Sequence, residues 1–442
     1  MTSPLLSWYG DDLTGSTDVM ESLAARGIRT ILFMRVPSPE ELARFGSFQA
    51  IGLAGTSRSE TPAWMDLHLT PAFEWLKSLD AGICHYKVCS TFDSSPGIGS
   101  IGKAAEIGQR VFGQDRTPLI VGAPQLKRYT AFGNLFAAFR AENFRIDRHP
   151  VMSRHPVTPM HEADLRLHLA QQTSQPIRLV DLVALQAGDA DAKVDEAFAA
   201  PGIVLIDVAD AATQALAGRQ LWRQPDDVRR FVVGSSGIEY ALLAEWQRLG
   251  LLPAHEGFTL PGAVDRIAVV SGSCSPTTER QIRHATANGF ADIALDARVL
   301  AGDGREAAVA DAVAAGLAHL AAGRSVILYT ALGPQTDQGE AIDAAPEGRH
   351  RIGESLGRIQ RALVEQAGLT RAVIAGGDTS SHALRQLDIL GLTTRLPLPQ
   401  TPGSPLCTAH SPTPAFDGLQ VALKGGQVGG DDYFSQIREG RR

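Results

Sequence analysis

The chain has 442 residues, 44% hydrophobic and 20% charged, with a formal net charge of -7. That length fits two domains, the composition fits a globular chain rather than extended disorder, and the acidic balance gives no footprint for nucleic acid. No apolar run of about 18 residues and no basic-then-apolar leader occurs, so a cytoplasmic protein with no membrane partner is expected.

Cys84, Cys89, Cys274 and Cys407 form no CxxC pair and have no His at zinc spacing, so reduced thiols without a disulfide are expected. Near the N-terminus, LSWYGDDLTGSTDV runs from an apolar strand through Gly10-Asp11-Asp12-Leu13-Thr14-Gly15 into a helix. Open α/β sheets bind ligands at that end of a strand. Asp11 and Asp12 could accept hydrogen bonds from substrate hydroxyls, and one could take a proton from an attacking hydroxyl; a helix cap explains the same residues. AGTSRSE then places Arg58 in a loop, and YKVCSTFDSS gathers Lys87, Ser90, Thr91 and Asp93. Arg and Lys suit a carboxylate as bidentate fork and point charge, and both are equally at home on a solvated surface.

Gly97 to Ala104, GIGSIGKA, meets the Walker A frame through Lys103 but has Ala104 in place of the metal-binding hydroxyl, and is read as a close-packed turn. His149, His155 and His161, spaced by six, do not share a helix face, so RIDRHPVMSRHPVTPMHEADL is expected to be a polar loop over a site rather than a metal centre. Apolar runs at Leu119–Gly122, Ile203–Val208, Phe231–Val233, Ile267–Val270, Val326–Tyr329 and Val373–Ala375 alternate with helical patterns such as Ile352, Leu356, Ile359 and Leu363. They predict an α/β protein of two domains, each a mostly parallel sheet flanked by helices. The junction falls in Gly250–Asp265, which has no clear periodicity, giving domains 1-250 and 265-442.

In the second domain, IAVVSGSCSPTTERQI carries Ser273 and Ser275 ahead of Pro276 at a first helical position. AVIAGGDTSSHALRQL carries Gly376, Gly377, Asp378 and Thr379 into another helix, where a diphosphate would fit. Pro397–Pro414 reads as a long loop, and VALKGGQVGGDDYF closes the chain with Lys424, Gly425, Gly426 and Gly429 after a short strand. Taken singly, each loop is also explained by capping or turning alone. No GxGxxG with its acidic ribose ligand, no HExxH and no GxSxG occurs.

Taken in order, GDDLTGSTDV, TSRS at 56 to 59, YKVCSTFDSS, SGSCS, GGDTS and LKGGQVGGDDYF resemble the four-carbon acid sugar kinase family, over residues 9 to 434. The resemblance implies a sugar-acid-binding N-terminal domain, a nucleotide-binding C-terminal domain, an active site in the cleft between them, and transfer of the γ-phosphoryl group of ATP, with Mg2+, to a hydroxyl of tetronate-like acids. Carried onto this chain, it makes Asp11, Asp12, Thr14, Arg58 and Lys87 substrate contacts, with Asp12, and Asp11 beside it, as catalytic carboxylates. Ser273, Ser275, Gly376, Gly377, Asp378, Thr379, Gly426 and Gly429 become nucleotide contacts. KGGQVG stands where the family often has KSGNFG, and RHPVTPM at 154 to 160 looks like a subgroup feature. Threonate, erythronate, 3-oxo-tetronate and an oxo-isoapionate all remain open as substrates. A sugar-acid dehydrogenase or a non-catalytic sugar-acid-binding protein is the rival reading. Two-fold oligomers being common, a homodimer is expected.

Overall fold

Leu6–Gly10 (β1) is buried along its whole length, which is why LSWYG shows no polar and apolar alternation: a central parallel strand is covered on both faces. The computed structural model describes residues 3–336, 338–339, 342 and 347–441. Contacts divide the chain into two units, one of Met1–Ile31 with Val36–His255 and one of Leu32–Arg35 with Glu256–Arg442.

After β1 come Thr30–Phe33 (β2), Ala50–Ala54 (β3), Ile83–Lys87 (β4), Arg116–Ile120 (β5), Arg128–Ala131 (β6), Asn134–Phe139 (β7), Glu142–Arg145 (β8), Ile177–Val180 (β9), Gly202–Ile206 (β10) and Phe231–Gly234 (β11). The sheet of the first unit runs β3-β1-β4-β11-β5-β10-β9, with every neighbouring pair parallel. Close packing fixes some residue types here. The Trp8 indole fills the place a Cβ would take on Gly52 of β3.

A separate antiparallel sheet, β6-β7-β8, is anchored at the carboxyl end of β10. Thr130 N–H donates to Val208 O at 2.8 Å, and Val208 N–H donates back to Thr130 Oγ1 at 2.8 Å. At the hairpin turn, Gly133 N–H lies 3.2 Å from the Asp207 carboxylate, whose pKa burial raises to about 6.

The second unit contains Ala268–Ser271 (β12), Ala291–Ala294 (β13), Val326–Tyr329 (β14), Arg371–Ala375 (β15), Gly391–Leu396 (β16), Leu406–His410 (β17) and Gln420–Lys424 (β18). Its sheet runs β13-β14-β12-β15-β18-β17-β16. It is parallel from β13 to β18 and antiparallel thereafter, with Leu32 and Phe33 pairing antiparallel to β16. β17 corrects the expectation of a long loop over Pro397–Pro414: LCTAH forms a strand within it, because its backbone finds partners on both sides. The helix Gly348–Ala367 buries Ile352, Leu356, Ile359 and Leu363, the face expected from their spacing, and packs on β12.

Among the described residues no helix is long and apolar enough to cross a membrane.

Candidate functional site

In the first unit, β1 lies between β3 and β4 with all three parallel, so the loops after Gly10, Ala54 and Lys87 emerge side by side at one edge. This is the edge at which open α/β sheets take ligands. Gly10 is required because a Cβ there would collide with Ser16 Oγ. Asp12 caps the helix Leu13–Ala24, its Oδ1 accepting from Gly15 N–H at 2.6 Å. Asp12 Oδ2 receives Arg58 Nη1 at 3.2 Å, while Arg58 Nη2 reaches Asp93 Oδ2 at 2.7 Å. Arg58 sits in the short turn Ser57–Ser59, whose Arg58 N–H donates to Asp11 O at 3.1 Å. Thr91 and Thr158 hydroxyls also donate to Asp93. Thr14 occupies the first turn of the helix that Asp12 caps.

Asp11 is buried, and its Oδ1 has no hydrogen-bond partner. Burial first, then the negative charge of Asp12, raise its pKa to about 7 against the pull of Arg58 and Lys87. Lys87 ends β4, is 3% exposed, and donates from Nζ to Val88 O at 2.9 Å. Burial works against its charge, yet the carboxylates of Asp18, Asp11 and Asp12 hold its pKa above the ordinary lysine value. Burial also works against the charge of Asp93, and there the Arg58 guanidinium and the donated hydrogen bonds win, so its carboxyl stays below the usual range.

Asp18 was not singled out from the sequence. It is buried, and the signal was a charged residue between Thr17 and Val19 on an otherwise covered helix face. Asp93 lay in a segment that was, but its role depends on Arg58, 35 residues away.

In the second unit, the loops after the adjacent strands β12, β15 and β18 come together. Ser275 caps the helix Pro276–Ala287, its hydroxyl accepting from Thr277 N–H at 3.1 Å. Ser273 Oγ accepts from Ser275 N–H at 3.3 Å and meets Thr278 Oγ1 at 3.0 Å. Gly376 has φ +116 and precedes the helix Gly377–Gln386. A Cβ on Gly376 would lie 3.0 Å from Thr379 Oγ1, and one on Gly272 would collide with the same hydroxyl, so Thr379 locks the first two loops together. Gly377 has open space where a Cβ would stand. The backbone of Asp378 belongs to that helix, while its side chain lies outside the described residues.

The third loop brings Gly426 to within 3.1 Å, at the position of a Cβ, of Ser273 Oγ. Gly429 has φ +93, and Gln281 Nε2 donates to Val428 O and Gly430 O at 3.0 Å each. Two helix N-termini and three backbone loops thus converge, an arrangement that favours phosphate. Beneath them the fully buried Lys424 extends Nζ to Thr278 Oγ1 at 3.0 Å, Gly425 O at 2.9 Å and Gly426 O at 3.4 Å. Sequence reading placed Lys424 in this turn without assigning it a role, since a lysine is ordinarily a surface residue. Among the described residues no group of three or more His, Cys, Asp or Glu could hold a metal ion.

Residues 6–242 match the family model described as a sugar-binding N-terminal domain, and residues 268–434 match a nucleotide-binding C-terminal domain. A 3-oxo-isoapionate kinase of Paraburkholderia graminis is 47% identical over 99% of this chain and 94% of its own length. A 3-oxo-tetronate kinase of Cupriavidus necator is 30% identical over 98% of this chain and 96% of its own. Among solved structures, a Salmonella typhimurium protein superposes with TM-score 0.78 at 23% identity over 99% of both chains, which speaks for the fold alone. With both domain models matched in order and relatives aligned along its length, the chain belongs to the four-carbon acid sugar kinase family.

Proposed function

We propose that this chain transfers the γ-phosphoryl group of ATP to a hydroxyl of a small sugar acid, with 3-oxo-isoapionate as the first candidate and 3-oxo-tetronate as the second. The observation that carries the reading is the set of Asp11, Asp12, Arg58 and Lys87 at the carboxyl ends of β1, β3 and β4. Carboxylates in such a set accept hydrogen bonds from the hydroxyls of a polyol, and the charges of Arg58 and Lys87 oppose the rise that burial imposes on Asp11. The order of candidates follows the 47% and 30% identities to kinases of those names.

Thr14, Arg58 and Lys87 complete the acid site with Asp11 and Asp12. Ser273, Ser275, Gly376, Gly377, Asp378, Thr379, Gly426 and Gly429 form the ATP site. Asp12, the more open of the two aspartates, is the proton acceptor. As its carboxylate takes the proton of the substrate hydroxyl, that oxygen bonds to the γ-phosphorus and the bond to ADP breaks. The proton then passes from Asp12 to water. Phosphoryl transfer is mostly positioning and charge stabilisation. Mg2+ accompanying ATP would neutralise charge on the phosphates.

Coupled ADP release from Mg-ATP with 3-oxo-isoapionate and 3-oxo-tetronate, with mass detection of the phosphorylated acid, tests the reading. Turnover with either establishes the reaction and ranks the substrates. ATP binding without turnover on either acid overturns it.

A further inference from the structure

The cations already described come with counter-charges of their own. Arg58 is held between Asp12 and Asp93, and Lys87 lies among Asp18, Asp11 and Asp12. Those carboxylates suit hydroxyls, and they disfavour the carboxylate of an acid substrate.

A different arginine meets the need. Arg128 opens β6 and forms a bridge with Ala123, just beyond the carboxyl end of β5. Its Nη1 donates to the backbone carbonyls of Leu126 and Lys127, at 3.0 and 3.1 Å. Its Nε is buried with no partner, and among the described residues no carboxylate pairs with it. A guanidinium partly withdrawn from water with an unused donor is costly unless an anion completes it. β11 pairs in parallel with both β4 and β5, so the loop that carries Arg128 leaves the same edge of the sheet as the loop after Lys87, one strand away. The Asp207 and Thr130 hydrogen bonds that anchor the small sheet hold Arg128 at this edge.

We infer that Arg128 is the receptor for the substrate's carboxylate at the carboxyl edge of β5, while Asp11 and Asp12 take the hydroxyls. The assignment rests on the sugar-acid kinase reading and deepens it. It makes the small antiparallel sheet part of the acid site, and it explains selection of an acid over the corresponding neutral sugar.

The test measures steady-state kinetics of the full chain with Mg-ATP and 3-oxo-isoapionate or 3-oxo-tetronate. Arg128→Gln is expected to raise KM for the acid roughly 10- to 100-fold, the range of a lost hydrogen bond to a charged group, with KM for ATP unchanged. Arg128→Lys, which keeps the charge and loses the fork, is expected to recover part of that loss. Arg140→Gln removes the same charge from the turn between β7 and β8, where Arg140 lies over the Phe139 ring, and is expected to leave both KM values alone. An unchanged acid KM in Arg128→Gln, or an equal rise in Arg140→Gln, overturns the assignment while leaving the kinase reading standing. A wild-type chain that phosphorylates neither acid overturns the kinase reading and the assignment with it. If Arg128→Gln does not fold, an acid KM in Arg128→Lys equal to wild type overturns the assignment and a raised one upholds it.

Discussion

The ammonium of Lys87 lies 2.8 Å from the point a Cβ would occupy on Gly15, so this glycine lets a buried cation reach the N-terminus of the first helix. The same absent Cβ would stand 2.6 Å from Asp12 Oδ1, the atom that caps that helix through Gly15 N–H. Gly15→Ala therefore displaces Lys87, Asp12 or both. Small misplacements of reacting groups cost about 10²-fold in rate, and a fall of that order in kcat/KM for the acid is expected with ATP binding intact. Unchanged acid kinetics in Gly15→Ala would separate Lys87 from the chemistry.

The two adjacent aspartates are expected to differ. Removing the proton acceptor costs about 10²- to 10⁴-fold in turnover, so Asp12→Asn should lose kcat in that range while KM for ATP holds. Asp11 shows itself through pH. Its folded pKa of about 7 lies above the ordinary aspartate value of 3.8, so between those values the native chain binds a proton the unfolded chain does not. Stability then falls as pH rises through that window and is flat above it. Asp11→Asn lacks this slope, and its melting temperature relative to wild type should climb from pH 4 to pH 7. A pH-independent difference would place the Asp11 carboxyl in a more solvated setting.

Much of this was readable because central parallel strands are continuous apolar runs. Ile203–Val208 and Val326–Tyr329 announce β10 and β14, and each strand that ends in glycine or hydroxyl residues before a helix marks a loop at the working edge. β17 was not readable, since LCTAH mixes Thr and His on an antiparallel strand flanked by prolines at 405 and 412. Arg58 was legible as a candidate, but its bridging of Asp12 and Asp93 spans 46 and 35 residues of sequence. Arg128 gave no motif at all. Its unused Nε is a property of the folded β6 and its surroundings.

Lys424 carries its own pH signature. Burial pushes its pKa from 10.5 to about 7. Between those values the unfolded chain binds a proton that the native chain lacks, so stability rises with pH across the window and the cost of burial is fully present below pH 7. Lys424→Met has no such slope, and wild type should gain in melting temperature relative to it from pH 7 to pH 10. The substitution also removes the ammonium donor from Thr278 Oγ1, Gly425 O and Gly426 O, leaving Gly426 O to the Thr278 hydroxyl. KM for ATP is expected to rise while acid binding is unchanged, and a shift confined to the acid would move Lys424 out of the nucleotide site.

Gly429 offers the cleanest perturbation of the closing loop. Its φ of +93 is a conformation L side chains rarely adopt, and a Cβ would stand 2.9 Å from both Gln281 Nε2 and Tyr433 Cδ2. Gly429→Ala therefore combines backbone strain of about 1–2 kcal/mol with pressure on the Gln281 amide that ties Val428 O and Gly430 O to the helix Pro276–Ala287. Because Gly426 in the same loop touches Ser273, the displacement should reach the nucleotide site. KM for ATP is expected to rise roughly 10-fold, the factor that corresponds to such a strain, with the acid KM held. An ATP KM equal to wild type, in a variant whose melting temperature has fallen, would make the loop a structural closure rather than a phosphate contact.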